Sequence, residues 1–251
     1  MSSEFFLENL RVSTRPLAET AMRICAAAGS AAAQTVFTLN LDHVVKMRID
    51  PAFRAAYARA GLITADGFPV VLAGRLQGVR FDRVAGSDLI APICAEAART
   101  GKSIFLFGSS PDVLLISSRA LKDRNPDLHI AGTLAPPQGF SPASDEARRY
   151  IKVIGESGAD LCFIALGAPK QELFADYAKQ VLPDTSFVCI GAGLDFITGA
   201  QVRAPYWMQR IGLEWLWRVA RSPGRLLHRY LLCIAALPGF LARAVFVPQR
   251  R

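Results

Sequence analysis

Short apolar segments alternate with helix-like segments along the first 190 residues, and this alternation limits the folds that the chain can adopt. The apolar segments lack the regular change between apolar and polar residues that marks a strand with one face in water. Strands of this kind are buried on both faces, which is typical of parallel sheets covered by helices. We therefore predict an α/β protein with a mostly parallel, Rossmann-like sheet and helices on both faces. The predicted strands are Thr35–Leu39, Leu62–Thr64, Ser103–Phe107, Leu128–Ala131, Leu161–Leu166 and Ser186–Ile190.

Capping residues and prolines predict the helices between these strands. Asp42 is expected to cap a helix that runs to about residue 60, and Ser87 is expected to cap one over Leu89–Arg99. Pro111 suits the first position of the next helix, because its fixed φ and missing N–H are tolerated there. Further helices are expected over residues 70–76, 111–124 and 143–157 and from residue 169.

Charge divides the chain near residue 200. Residues 1–200 contain 20 Lys and Arg against 20 Asp and Glu. Residues 201–251 contain nine arginines, all three tryptophans and a single acid, Glu214, so they carry the whole formal charge of +8. We predict an α/β catalytic domain over 1–200 and a basic, amphipathic appendage over 201–251 that is held against an anionic surface. The alternative is a pair of basic helices that face water and bind no such surface.

The appendage is expected to form two helices and to associate with a membrane. Trp207 and Trp215 fall on one side of the first helix, and Pro223-Gly224 separates it from a second helix over Arg225–Leu232. The longest uncharged apolar run has about 13 residues, whereas a span needs roughly 20, so we expect the appendage to lie on a bilayer and not to cross it. Arginine and tryptophan both favour the headgroup level. Alternatively, the tryptophans pack on the domain and only the arginines face water.

The cysteines and the N-terminus favour the cytoplasm. Five cysteines are scattered without a C-x-x-C pair, and the three histidines lie far apart in sequence. These spacings indicate neither a disulfide framework nor a metal site. The N-terminus has no basic segment followed by an apolar one, so no secretory signal is expected.

Polar side chains follow several predicted strands, at the edge where an open parallel sheet binds its ligands. Asp66 follows the strand Leu62–Thr64 and could act as a general base that takes a proton from an attacking hydroxyl. Asp-Gly is also an ordinary turn sequence. Thr38 and Asn40 flank the end of the first strand and could hydrogen-bond a sugar, while helix capping explains Asn40 equally well.

Groups that could bind a phosphate lie at two strand-to-helix turns and at one arginine. Lys170 and Gln171 fall on the first turn of a helix, where free backbone N–H groups favour anions. Gly108–Ser110 has the same arrangement. Each of these turns could equally be a plain connection between a strand and a helix. Arg83, which precedes a helix, is the best candidate cation in the neutral part of the chain.

Familiar nucleotide-binding motifs are absent from the sequence. Gly191-Ala-Gly193 lacks the third glycine of a dinucleotide fingerprint, and it follows the last predicted strand instead of the first. The P-loop pattern is missing, and so is the metal-binding Asp-x-Asp of many nucleotide-sugar transferases. If phosphates are bound, arginines and helix termini must supply the positive charge.

Taken together, these residues resemble the WecG/TagA/CpsF glycosyltransferases. The resemblance covers about residues 35–235, and the last two of its motifs are specific. The motifs are Thr38-Leu-Asn40, Ala65-Asp66-Gly67, Arg83-Val-Ala-Gly-Ser-Asp88, Leu166-Gly-Ala-Pro-Lys-Gln-Glu172 and Arg203-Ala-Pro-Tyr-Trp-Met-Gln-Arg-Ile-Gly-Leu-Glu-Trp215. Leu39 stands where many members have proline, and Gly191-Ala-Gly193 stands where a Gly-Gly pair is usual, but neither change removes a polar group.

The resemblance implies an inverting, metal-independent hexosyltransferase that uses no cofactor. Such enzymes move a sugar from a UDP-sugar to an undecaprenyl-diphosphate-linked acceptor at the cytoplasmic face of the inner membrane, to which they bind peripherally. They serve the biosynthesis of cell-surface polysaccharides, among them teichoic-acid linkage units, enterobacterial common antigen and exopolysaccharide. The donor sugar stays open between N-acetylmannosamine, its uronic acid and glucose, and the acceptor sugar and self-association stay open as well.

The resemblance also assigns roles to individual residues. It implies that Asp66 is the base and that the substrate and nucleotide contacts are Thr38, Asn40, Arg83 and Gln171. It further implies that the appendage brings arginines to the active site. We expect these, together with Lys170, to stabilise the departing diphosphate; the candidates are Arg203, Arg210, Arg218 and Arg221.

Two other classes of protein stay open on the sequence alone. A nucleotide-dependent oxidoreductase would need a complete glycine fingerprint, which the sequence lacks. A non-catalytic nucleic-acid-binding protein would explain the nine arginines, but it leaves the polar groups at the strand ends without a role. We therefore expect no nucleic-acid partner.

Overall fold

Eight strands form one sheet in the computed structural model, which describes residues 4–205, 207–208 and 213–246, with Arg225 described by its backbone alone. The strands are β1 (Glu4–Leu7), β2 (Leu10–Ser13), β3 (Thr35–Leu39), β4 (Leu62–Ala65), β5 (Ser103–Gly108), β6 (His129–Leu134), β7 (Leu161–Ala165) and β8 (Ser186–Cys189). Their order across the sheet is β1-β2-β4-β3-β8-β7-β5-β6. β1 and β2 form an antiparallel hairpin, which the sequence did not predict, and the other neighbouring strands pair in parallel. The predicted α/β class with a mostly parallel sheet is confirmed.

Helices cover both faces of this sheet. The helices of the domain are α1 (Leu17–Ala27), α2 (Leu41–Ile49), α3 (Pro51–Arg59), α4 (Phe68–Leu76), α5 (Gly86–Thr100), α6 (Pro111–Arg124), α7 (Asp145–Glu156), α8 (Lys170–Val181) and α9 (Gly193–Thr198). Residues of α2, α3, α7 and α8 contribute to one hydrophobic core, and residues of α1, α5, α6 and α9 contribute to the other. In the part of the appendage that the structure describes, α10 (Glu214–Arg221) and α11 (Pro223–Phe246) follow.

Alternate residues of one strand supply the two cores. Phe105 and Phe107 of β5 lie in the core under α7 and α8, where Phe107 stacks on Phe174 with ring centroids 4.4 Å apart. Ile104 and Leu106 of the same strand lie in the core on the other face. A strand with both faces buried must be apolar at every position, which explains the apolar run that predicted it.

The cap of α2 differs from the prediction. Asn40, and not Asp42, caps the helix, because the Asn40 Oδ1 atom accepts a hydrogen bond from the His43 N–H at 3.1 Å. Asp42 lies inside the first turn and pairs with Lys46 instead. Both residue types cap helices well, and the extended backbone of Asn40 (φ −131°, ψ 175°) decides which of them does so here.

Three further helix boundaries also differ from the prediction. The helix that begins after Asn40 does not run to residue 60, because Asp50 leaves the helical conformation and caps the separate α3. α5 begins at Gly86, so Ser87 lies within its first turn and is not its cap. In the appendage the break falls at Ser222, and Pro223 is the first residue of α11.

The second appendage helix is longer than predicted. The sequence predicts that it ends at Leu232, but α11 continues through Pro238 to Phe246. α11 packs on α2 and α4 and buries Cys233 and Phe240. This packing stabilises the helix across the proline, which removes one backbone hydrogen bond.

The opposite face of α11 is apolar and exposed. Leu227, Leu231 and Ile234 leave 50, 55 and 50% of their surface exposed. By length and composition, the 21 residues Leu226–Phe246 could cross a membrane, with a mean hydropathy of 1.5 and 17% of the most apolar window buried. The run of about 13 uncharged residues read from the sequence is shorter than this stretch, because it stops at Arg229 and Arg243, which the stretch includes.

Gly86, at the start of α5, packs against the end of β8. A Cβ atom at Gly86 would lie 2.5 Å from the backbone carbonyl oxygen of Cys189. We predict that Gly86→Ala lowers the free energy of unfolding by about 1–3 kcal/mol, because a backbone atom at a strand end has little room to move. Gly239→Ala is the control, since a Cβ there meets nothing within 4 Å and alanine favours a helix. Urea denaturation measures both variants, and wild-type stability of Gly86→Ala would contradict this packing.

Candidate active site

A cavity of about 680 Å³ opens at the carboxyl ends of four neighbouring strands, β4, β3, β8 and β7. Ligands bind at this edge of open parallel sheets, because the strand ends and the helix N-termini that follow them meet there. Residues 200–204 and parts of α10 and α11 line the cavity as well. The domain and the appendage therefore build this cavity together.

Asp66 follows β4 directly and lines the cavity. Its backbone N–H donates to the Leu39 carbonyl oxygen at 2.8 Å, and Gly67, with a φ of +88°, turns the chain into α4. The Asp66 side chain is 26% exposed. Burial raises the pKa of this carboxyl, Arg83 lowers it and Glu214 raises it, with a net rise. A carboxylate with a raised pKa is a stronger base than an ordinary aspartate, which suits general-base catalysis.

The other substrate contacts predicted at the strand ends and on α8 do not all line the cavity. Thr38, Asn40 and Gln171 line the cavity. Gln171 also joins the start of α8 to the end of β8, because its Oε1 atom accepts a hydrogen bond from the Gly191 N–H at 3.0 Å. Lys170, at the first position of α8, is exposed and is not part of the cavity lining. The first turn of α8 therefore presents its amide side chain, and not its lysine, to the cavity.

Three carboxylates share Arg83. Its Nη1 atom lies 3.3 Å from Oε2 of Glu214 and 3.6 Å from Oδ1 of Asp66, while its Nη2 atom lies 3.2 Å from Oδ2 of Asp88. The contacts with Glu214 and Asp88 are hydrogen bonds, and the one with Asp66 is a longer ion pair. One guanidinium thus connects the candidate base with both the domain and the appendage.

Three of the four predicted appendage arginines line the cavity, namely Arg203, Arg218 and Arg221. Arg203 pairs with Asp88 at 2.6 Å, and Arg218 pairs with Glu214 at 3.1 Å. The fourth, Arg210, lies outside the described residues. Three of the four predicted appendage arginines therefore line the same cavity as Asp66.

The sequence does not predict that Glu214 and Arg229 line this cavity. Arg229 lines it from α11, and its Nε atom lies 3.6 Å from Oδ1 of Asp42. Among the described residues, the buried Nε atoms of Arg229 and Arg203 have no hydrogen-bond partner. Buried donors are normally paired, so the hydrogen bonding of these two guanidinium groups is incomplete in this arrangement. Arg229 has no sequence signal that separates it from other arginines, whereas Glu214 stands out as the single acid of 201–251.

Other candidate groups have structural partners. His43 lines the cavity, but burial lowers its pKa to about 3, and its Nδ1 atom lies 2.6 Å from the Tyr57 hydroxyl oxygen, so it is uncharged. Ser110 caps α6, and Ser109 donates to Asp195 at 2.8 Å; neither serine is part of the cavity lining. Within the described part of the chain, no group of three or more His, Cys, Asp or Glu side chains could hold a metal ion.

Glu172 is fully buried beside the cavity-lining Gln171. Its Oε1 atom accepts a hydrogen bond from the Gln171 amide at 2.8 Å, while its Oε2 atom has no hydrogen-bond partner among the described residues. Burial raises the pKa of Glu172 to about 7. Such an acid stays protonated in the fold while the unfolded chain ionises, so its contribution to stability falls as the pH rises.

Comparison with known families gives the class of protein that carries this cavity. Residues 6–251 match the model of the Glycosyl transferase WecG/TagA/CpsF family. Because the match spans nearly the whole chain, the protein belongs to this family of glycosyltransferases. The class of reaction is therefore glycosyl transfer, which the sequence motifs favour over oxidoreductase chemistry and nucleic-acid binding.

Glu172→Gln should remove a pH dependence of stability. As the pH rises from about 4.5 to about 7, the wild type should lose about 2–3 kcal/mol of unfolding free energy relative to the variant, because over this range the unfolded chain ionises and the fold does not. Urea denaturation at both ends of this range measures the difference. A difference between the two proteins that does not change with pH would show that Glu172 ionises normally in the fold.

Proposed function

We propose that this protein transfers a sugar of the N-acetylmannosamine, N-acetylmannosaminuronic acid or glucose type from a UDP-sugar to a polyprenyl-diphosphate-linked sugar, with inversion at the anomeric carbon. The reaction takes place at the cytoplasmic face of the inner membrane, to which the appendage holds the catalytic domain. Glycosyl transfer itself follows from the family. The observation that supports the finer proposal is one cavity that contains the Asp66 carboxylate and five arginines, namely Arg83, Arg203, Arg218, Arg221 and Arg229.

The arginines suit a donor that leaves as a nucleoside diphosphate. Phosphate oxygens accept strong, charge-assisted hydrogen bonds from guanidinium groups. The buried Nε atoms of Arg203 and Arg229 lack a hydrogen-bond partner among the described residues, so the protein alone does not complete the hydrogen bonding of these two cavity-lining guanidinium groups. The cavity of about 680 Å³ also falls within the usual range for small-molecule sites.

The chemistry follows from this arrangement as a direct displacement. A hydroxyl of the acceptor sugar gives its proton to the Asp66 carboxylate while its oxygen attacks the anomeric carbon of the donor. The bond from that carbon to the diphosphate oxygen breaks, and UDP leaves from the opposite face, which inverts the configuration. The arginines stabilise the negative charge that develops on the diphosphate. Thr38 and Asn40 line the same cavity and provide hydrogen-bonding groups for a sugar.

The outward face of α11 supports membrane docking. α11 packs on the domain with one face and exposes Leu227, Leu231 and Ile234 on the other. A helix that is apolar on both faces needs a second apolar environment, which the boundary between headgroups and acyl chains provides. The appendage arginines add attraction to anionic headgroups. Because α2 and α4 occupy its inner face, α11 lies along the membrane surface in this proposal and does not cross the bilayer.

The direct test of this function is turnover with a panel of UDP-sugars and short-chain polyprenyl-diphosphate-linked sugars. We expect UDP release with at least one pair, and release that depends on the lipid-linked acceptor. A folded wild-type protein that releases no UDP with any donor would contradict the proposed donor class.

Asp66→Asn should lower kcat by about 10²–10⁴-fold, as removal of a general base does, with UDP affinity nearly unchanged. Only the ionised base accepts a proton, and the pKa of Asp66 is raised, so wild-type kcat/KM should rise with pH through a midpoint above the ordinary aspartate range. UDP release across a pH series and calorimetric titration with UDP measure these effects. Turnover close to wild type in the variant would exclude Asp66 as the base.

Leu231→Asp should weaken binding to vesicles of mixed neutral and anionic lipid by about tenfold or more, because a carboxylate replaces an apolar group that enters the membrane boundary. Leu231 is 55% exposed, so the change leaves the core intact. Leu115→Asp is the matched control, since Leu115 on α6 is 50% exposed and lies outside the appendage. Vesicle sedimentation compares the two variants, and equal binding by both would argue against docking through α11.

A further inference from the structure

Glu214 is the single acid among residues 201–251, and it lies inside the cavity at the first position of α10. Both of its carboxylate oxygens are engaged. Oε2 accepts a hydrogen bond from Arg83 at 3.3 Å, and Oε1 accepts one from Arg218 at 3.1 Å. An acid at a helix N-terminus is favourable by itself, but that role does not require a partner 131 residues away in the sequence.

The position of Arg83 explains why such a contact matters. Its Nη1 atom lies between two acids, 3.3 Å from Glu214 and 3.6 Å from Asp66. A guanidinium that closed on Asp66 with short, paired hydrogen bonds would stabilise the carboxylate and weaken it as a base. The hydrogen bonds of Arg83 to Glu214 and Asp88 occupy the guanidinium in the described arrangement, so Asp66 keeps only the longer contact.

We propose that Glu214 is a positioning residue for the proposed transfer, whose carboxylate holds Arg83 and Arg218 at the diphosphate side of the cavity and keeps Arg83 from pairing closely with Asp66. This inference rests on the proposed function, in which Asp66 is the base. It gives the appendage a second task besides membrane docking. The appendage controls the basicity of a residue on the sheet edge through one carboxylate. The position of the appendage on the domain and the basicity of Asp66 are then coupled.

The charged groups around Asp66 determine in which direction its pKa changes when Glu214 is substituted. Arg83 and Arg218 lower the pKa of Asp66, while Glu214 and Asp88 raise it together with burial. Glu214→Gln removes one of the groups that raise this pKa, and it also frees Arg83 to approach Asp66. Both consequences lower the pKa of Asp66, so the acidic limb of kcat/KM should move to lower pH. The weaker base should lower kcat by about tenfold.

The experiment uses the full-length chain with Glu214→Gln and a matched control. Asp176→Asn removes a comparable ion pair, in which Asp176 holds Arg59 at 2.6 Å between α3 and α8, away from the cavity. Carboxyl-carbon NMR follows the titration of Asp66, and its signal is assigned by its loss in Asp66→Asn. We expect a lower Asp66 pKa, an acidic limb at lower pH and a lower kcat in Glu214→Gln, and wild-type values of all three in Asp176→Asn.

An Asp66 pKa in Glu214→Gln equal to that of the wild type would overturn the inference. If Glu214→Gln does not fold, as judged by circular dichroism, Glu214→Asp takes its place. That variant keeps the charge at the first turn of α10 but has a shorter side chain, so it should release Arg83 and shift the Asp66 pKa in the same direction.

The outcomes for Glu214 and for the proposed function can be told apart. The NMR titration needs no turnover, so it tests the link between Glu214 and Asp66 even if no UDP-sugar is a donor. Absence of UDP release by the wild type would contradict the function alone. An inactive Asp66→Asn beside a Glu214→Gln with the wild-type pH profile would leave the function standing and would overturn the role of Glu214.

Discussion

The guanidinium of Arg83 is the contact on which the rest of the site depends, because it joins the two parts of the chain by charge. Asp66 and Asp88 of the domain and Glu214 of the appendage lie within 3.2–3.6 Å of its nitrogen atoms. These side chains are about one-fifth to one-quarter exposed, so water screens them less than it screens a surface pair. Removal of one partner from such a cluster leaves another charge uncompensated, which costs more than the loss of a surface salt bridge.

The sheet and the appendage contribute different properties to the site. Parallel strands that are buried on both faces place Thr38, Asp66 and Gln171 along one edge. The appendage supplies most of the cavity arginines and the exposed apolar face of α11. In the proposed reaction, the sheet edge orients the sugar and the base, while the appendage neutralises the diphosphate and holds the site at the membrane where a lipid-linked acceptor is found.

The sequence predicts those features that depend on local pattern and misses those that depend on contacts between distant segments. The apolar runs predict the sheet. The position of Asp66 directly after β4 predicts that it lies at the ligand-binding edge, because strand ends of a parallel sheet share one edge. The choice of Asn40 over Asp42 as a cap is a local exception, because it depends on backbone angles that composition does not reveal. α11 continues through Pro238 because α2 and α4 hold it in place. The contact of Glu214 with Arg83 requires the appendage to fold back across 131 residues, although its unusual charge is visible in the sequence.

The central claim is that arginines from the domain and the appendage form one binding site for a diphosphate. Calorimetric titration of the full-length protein with UDP and with uridine tests it most directly, on the wild type and on Arg203→Gln. We predict that UDP binds more tightly than uridine and that the variant loses about tenfold or more of its affinity for UDP while its affinity for uridine stays the same. Equal affinities for UDP and uridine in the wild type, or an unchanged UDP affinity in the variant, would contradict a shared diphosphate site.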